Sequence, residues 1–121
     1  MKILLIEDDK SLSTVLKIGL EEKKYTVEVA YDGIEGKKLA LEKKYDLIIL
    51  DILLPGIDGY ELCKKIRNKA DAFVLMMSSL NMVEDRVAGF NAGADDYLGK
   101  PFRMNELYSR INLVISQNKT S

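Results

Sequence analysis

Four places in this 121-residue chain carry side chains that could work on one reaction: the acid run Glu7-Asp8-Asp9, the single Asp51, the hydroxyls Ser78 and Ser79, and Lys100. Each stands just after an apolar stretch: Ile3 to Ile6, Leu47 to Leu50, Phe73 to Met77, and the brief Asp96-Tyr97-Leu98. Glu7, Asp8 and Asp51 together bring a charge of −3, which Lys100 reduces to −2. Carboxylates gathered at one point cannot all stay ionised without a compensating cation. One Mg²⁺ would suit the set, because it prefers a few carboxylates, retained waters and phosphate oxygens to a full protein cage. Beside a metal and a lysine, an aspartate can attack phosphorus and become an aspartyl phosphate. Positioning and charge neutralisation are most of what that transfer requires. Taken singly, each feature is ordinary: a lone acid at a strand end caps a helix, an acid run is solvated, and Lys100 before Pro101 is a loop lysine. The combination at four strand ends carries the specificity.

For those ends to converge, the apolar runs must lie side by side. Ile3 to Ile6 is too short for a helix and typical of a buried parallel strand. Leu12, Val15, Leu16, Gly19 and Leu20 then mark one face of an amphipathic helix, with Asp9 or Ser11 as its cap. Tyr25 to Ala30 alternates as a strand with one wetter side. Ile34 to Lys43 reads as a short helix after the turn signal Asp32-Gly33. Leu47 to Leu50 is another buried strand, followed by a loop from Leu53 to Gly59 and a helix carrying Leu62, Cys63 and Ile66. Phe73 to Met77 is a strand, Val83 to Asn91 a helix ending at Gly93, and Asp96 to Leu98 a brief strand. Glu106 to Gln117 is the last helix, with Leu107, Ile111, Val114 and Ile115 on one face. Alternation of this kind predicts right-handed βαβ units, a five-stranded parallel sheet and helices on both faces, a three-layer doubly wound (βα)5 α/β fold. Ligands of such folds bind at the carboxyl ends of the strands.

Composition narrows the options. Apolar residues make up 47 % and charged residues 31 %, as in globular domains, and a net charge of −1 points to neither nucleic acid nor an anionic membrane. The absence of histidine removes histidine-based catalysis and the commonest zinc ligand. The single cysteine, Cys63, allows no internal disulfide and fits a reducing compartment. The apolar start is too short for a signal peptide, and no stretch approaches the roughly 20 residues of a membrane span. A cytoplasmic location is expected.

The segments Leu4 to Asp9, Asp46 to Asp51, Leu54 to Gly59 and Gly93 to Phe102, in this order and spacing, resemble the receiver domain of bacterial two-component response regulators. The resemblance covers essentially the whole chain and implies the flavodoxin-like strand order 2-1-3-4-5. It implies that Asp51 is the phosphoacceptor and that Glu7 and Asp8 form the acidic pair for Mg²⁺, Asp8 directly and Glu7 directly or through water. The backbone carbonyl of Leu53 would be a further metal ligand, and Asp9, just outside the pair, a cap. Ser78 matches the hydroxyl that bonds the phosphoryl oxygens, Lys100 the phosphate-binding lysine, often followed by a cis peptide before the proline, and Tyr97 the aromatic switch. The stretch Glu84 to Phe90 with Asp95-Asp96-Tyr97 is similar to the OmpR/PhoB subfamily, whose receivers precede a winged-helix DNA-binding domain. Ser78 replaces the commoner threonine; Ser79 and Gly99 stand where the subfamily often has alanine and threonine; Ala70 to Phe73 lacks a frequent proline.

The expected partners are a sensor histidine kinase and, on phosphorylation, a second copy of the chain, with no direct contact to nucleic acid or membrane. Arg86, Val87, Phe90, Asp96, Glu106 and Arg110 should form the face that pairs two copies, Arg86 meeting Glu106 and Asp96 meeting Arg110 across it. The receiver should occupy residues 1–117, with 118–121 a polar tail or the start of a linker. Both an excised receiver and a natural single-domain regulator fit that ending, and the subfamily motifs favour the former. No dedicated enzyme is expected, only catalysis of the chain's own phosphoryl transfer and dephosphorylation. A haloacid-dehalogenase-like phosphatase would need a second aspartate where Leu53 stands. A nucleotide or flavin carrier would need a glycine-rich phosphate loop that is missing.

Overall fold

The computed structural model describes residues 1–120, and the side chains of residues 1–117. Five strands, β1 (Lys2–Ile6), β2 (Thr26–Ala30), β3 (Leu47–Asp51), β4 (Phe73–Ser78) and β5 (Asp96–Gly99), form one parallel sheet in the order β2-β1-β3-β4-β5. The helices are α1 (Lys10–Glu22), α2 (Gly33–Glu42), α3 (Gly59–Lys69), α4 (Val83–Asn91) and α5 (Met104–Thr120). Strand order and architecture are those expected.

The period of two along each strand divides the core in half. Leu4, Ile6, Ile48, Leu50, Val74 and Met76 point to one side, where they meet Leu62 and Ile66 of α3 and Tyr97. Ile3, Leu5, Leu47, Ile49, Leu75 and Met77 point to the other, against Leu16 and Leu20 of α1 and Leu107 and Ile111 of α5. Each such side chain contributes about 1.5–3 kcal/mol when fully buried. With both faces covered, β3 is buried at every residue, which is why its sequence is an unbroken apolar run closed by an acid.

Aspartates begin the first three helices. Asp9 Oδ1 accepts from Leu12 N at 3.1 Å, Asp32 Oδ1 from Glu35 N at 2.7 Å, and Asp58 Oδ1 from Tyr60 N at 2.9 Å. Of the two candidate caps for α1, Asp9 takes the role. Helix α4 follows Met82, which offers no side-chain cap.

Three details differ from the sequence reading. The segment after β3 is not all loop: Leu53–Leu54 and Ile57–Asp58 pair as a two-stranded antiparallel ribbon around Gly56, whose φ of 76° only glycine adopts easily. Val15 stands 57 % exposed, because the buried stripe of α1 is centred on Leu16 and Leu20, with Val15 one step around the helix. Helix α5 starts at Met104 rather than Glu106 and runs to Thr120. Of the expected polar tail, Ser121 and the side chains of 118–120 lie outside the described residues. Among the described residues, no helix is long and apolar enough to cross a membrane.

Candidate functional site

The sheet brings the four predicted places to one rim. β1 and β3 are neighbours, so Glu7 and Asp8, just past β1, face Asp51, the last residue of β3. One carboxylate oxygen from each of Glu7, Asp8 and Asp51 lies within 4.8 Å of the others. Glu7 and Asp51 are buried, 1 % and 4 % exposed, while Asp8 is exposed.

Lys100, just past β5, reaches across β4 to this cluster. Its Nζ donates to Glu7 Oε1 at 2.5 Å and to Asp51 Oδ2 at 3.0 Å. The other oxygen of each carboxylate accepts from the backbone: Asp9 N donates to Glu7 Oε2 at 3.1 Å, and Leu53 N to Asp51 Oδ1 at 3.0 Å. Burial works against the ammonium of Lys100, but its bonds to Glu7 and Asp51 outweigh that and hold its pKa above the usual lysine value. Asp8 is pushed up from the ordinary aspartate value by burial first, then by its hydrogen bond to Glu7 and that neighbour's charge. One lysine therefore leaves the acids under-compensated, and three hard oxygen donors at this spacing fit a small divalent cation such as Mg²⁺. The Lys100–Pro101 bond is cis, as the resemblance implied.

Ser78 ends β4, fully buried, with Gly99 opposite it on β5. Its Oγ accepts from Leu80 N at 3.0 Å, and Lys100 N donates to its carbonyl at 2.8 Å. Ser79 is exposed. Tyr97 is 1 % exposed, with its hydroxyl donated to the carbonyl of Leu80. The ring thus lies inward, under α4.

The residues expected to pair two copies are on one face, though their charges have partners at home. Val87 and Phe90 are exposed. Arg110 Nη1 donates to Asp96 Oδ1 of the same chain at 2.6 Å. Arg86 donates to Asn81, and Glu106 Oε1 accepts from Arg103 N at 3.3 Å. Sequence reasoning missed Asn81, which carried no motif. It also missed Arg67, which donates to the carbonyls of Gly93 and Ala72 and pairs with Asp95. Only the motif position of Asp95 hinted at that staple.

Comparison with known proteins agrees with this geometry. Residues 3–112 match the family described as response regulator receiver domain. The response regulator ArlR of Staphylococcus saprophyticus is 40 % identical over 114 residues, covering 94 % of this chain and 52 % of that protein. The chain thus spans about half the length of this curated relative. A two-component response regulator from Clostridium difficile superposes with a TM-score of 0.92 at 38 % identity, covering 96 % of each chain. The beryllofluoride-activated N-terminal receiver domain of RstA from Klebsiella pneumoniae superposes with a TM-score of 0.88 at 30 % identity, covering 93 % of this chain and 97 % of that one. An acid cluster gripped by one lysine at the rim of this sheet, together with these likenesses, makes the chain a member of the response regulator receiver domain family of two-component signalling.

Proposed function

We propose that the chain is a phosphorylation switch whose phosphoacceptor is Asp51. The observation that carries this is the grip of Lys100 on both Glu7 and Asp51, with Asp8 close by. Asp8, Asp51, Glu7 and the carbonyl of Leu53 would hold Mg²⁺, which when bound supplies positive charge to the oxygens of the transferring group. Asp51 attacks phosphorus through a carboxylate oxygen as the donor's bond to phosphorus breaks, the donor being a sensor histidine kinase. Lys100 neutralises charge on the phosphoryl oxygens, and Ser78 donates its hydroxyl to one of them. The chain is no dedicated enzyme; it assists its own phosphorylation and the hydrolysis of its own aspartyl phosphate.

The signal leaves through α4, β5 and α5. Ser78 moves toward the phosphoryl group, and Tyr97 is held in its inward seat, a packing the unmodified chain already visits. That face then pairs two receivers about a two-fold axis, where one patch meets its own copy. Arg86 faces Glu106 of the second copy, and the Asp96–Arg110 pair opens to be shared across the axis around Val87 and Phe90. The OmpR/PhoB-like motifs make a DNA-binding output domain beyond this chain the target, in the cytoplasm.

The test is phosphorylation by a small phosphodonor with Mg²⁺, read by mass spectrometry. The parent gains one acid- and base-labile phosphoryl group, Asp51→Asn gains none, and Asp8→Ala binds Mg²⁺ more weakly. Normal phosphorylation of Asp51→Asn would sink the assignment. Activation by beryllofluoride in the ultracentrifuge tests the pairing face: the parent dimerises and Arg110→Glu stays monomeric.

A further inference from the structure

The loop between Ser78 and α4 holds an arrangement that the transfer chemistry does not use. Asn81 Oδ1 accepts from Arg86 Nε at 3.1 Å and from Arg86 Nη2 at 2.5 Å. The guanidinium so held lies 5.4 Å from the centroid of the Tyr97 ring, within cation–π range. The same ring donates its hydroxyl to the carbonyl of Leu80, the residue before Asn81. Tyr97 is therefore fixed from two sides by one short loop and the residue that loop holds.

Two glycines make the room. A Cβ at Gly89, on α4, would stand 2.9 Å from Met76 Sδ and 3.0 Å from Tyr97 Cδ2, so the inward seat of the ring depends on its absence. A Cβ at Gly99 would stand 2.8 Å from both Cγ and Oδ1 of Asn81. Gly99 has no left-handed backbone to explain it; space for the Asn81 amide does. A threonine, which the subfamily often carries at this position, could not share that space with the amide. Gly99 is also the cross-strand partner of Ser78, so the clasp is built onto the phosphoryl-binding end of the sheet.

We propose that Asn81 is a positioning residue for the switch: seated by Gly99, it clasps Arg86 over the Tyr97 ring and keeps the ring inward before any phosphoryl group arrives. This rests on the reading of Ser78 and Tyr97 as the switch and sets its resting point. A chain with the clasp has a larger inward population at rest, so phosphorylation has less left to shift.

Fluorine NMR of the chain labelled with 3-fluorotyrosine reads this directly, with the Tyr97 signal assigned by Tyr97→Phe and the other five of the six tyrosines reporting that the fold is intact. Without phosphodonor or beryllofluoride, Asn81→Ala and Gly99→Ala should each lower the inward-to-outward ratio of Tyr97 about fivefold, the worth of one hydrogen bond of ordinary strength. Asn81→Asp keeps an acceptor toward Arg86 and should keep the parent signal. Beryllofluoride should return the Asn81→Ala ring inward. If it does not, while the resting shift is present, the switch reading falls and the clasp stands. A Tyr97 signal in Asn81→Ala and Gly99→Ala that coincides with the parent at rest overturns the clasp.

Discussion

Helices α3 and α4 follow neighbouring strands of one sheet, yet they are fastened by different means. Helix α3 is capped by Asp58 and buries Leu62, Cys63 and Ile66 completely. Helix α4 has no side-chain cap, buries only Gly89, and leaves Val83, Val87 and Phe90 exposed. What holds α4 is polar and comes largely from elsewhere: Tyr60 Oη donates to the Asp85 carbonyl at 3.4 Å, Arg67 Nε donates to the Gly93 carbonyl at 3.0 Å, and Asn81 holds Arg86. Dispersion and apolar burial reward one packing, whereas a few polar ties can be exchanged for others. An element with little buried apolar surface opens at low free energy. The fold thus places its rigid helix beside its adjustable one, and the adjustable one lies against Tyr97.

The hold on α4 depends most on Arg67, the tie that α3 extends to the far end of that helix. Arg67→Ala loses bonds to Gly93 and Ala72 of 3.0 and 2.8 Å and leaves Asp95 without its cation. The expected cost is about 3 kcal/mol, from one charge-assisted pair and two bonds to carbonyls, read by urea unfolding. Arg67→Lys should recover less than half, because one ammonium cannot serve three acceptors in a fixed fork. A loss below that of a helix cap would mean that α4 is held by its packing after all.

The rigid side has a pH signature. Burial, the largest influence, pushes the Cys63 thiol from its ordinary 9.0 up to about 11, with Arg67 opposing and Asp95 adding to the rise. The folded chain keeps the proton that the unfolded chain releases. The thiol's contribution is therefore fully present below about pH 9 and is lost as pH climbs through about 11, a loss of about 2 kcal/mol by that point. Urea midpoints should fall over that window, and Cys63→Ala, though less stable throughout, should fall less steeply. Equal slopes would show that the thiol is not held in a dry environment.

This difference between helices was only partly legible in the sequence. The apolar runs that make β1, β3 and β4 are unambiguous, because strands covered on both faces leave no room for polar residues. Glu7, Asp8, Asp51 and Ser78 were legible for the same reason, since an acid or hydroxyl ending such a run has its position fixed by the strand; Lys100 follows the short Asp96–Gly99 strand and was legible from its motif. Asp32 and Asp58 as caps, and the ribbon at Leu53–Leu54, are local turn chemistry that the spacing permits without demanding. The ties of α4 were invisible. Arg67 and Gly93 are 26 residues apart, and nothing in either marks the other. Gly99 was visible as a departure from the subfamily, but its reason appears only when Asn81 is seen in the space.

The smallest expected effect is the most local one, and it asks whether α4 is loose for want of a cap. Half of a capping box is already in place: Asp85, at the third position of the helix, accepts through Oδ2 from Met82 N at 3.0 Å. The missing half is a side-chain acceptor on residue 82: methionine has no oxygen there, and the Asp85 backbone N–H donates instead to the Met82 carbonyl at 3.1 Å. Met82 is 68 % exposed, so its replacement removes no core contact. Met82→Ser should therefore stabilise α4 by about 1 kcal/mol, while Asp58→Ala should cost α3 a similar amount. Hydrogen exchange separates the two. In Met82→Ser the amides of α4 should slow about fivefold while those of α3 keep the parent rates, since a local cap acts on local opening. If instead α3 and α4 slow together, the two helices open as one unit, and α4 has no independent freedom for Tyr97 to exploit.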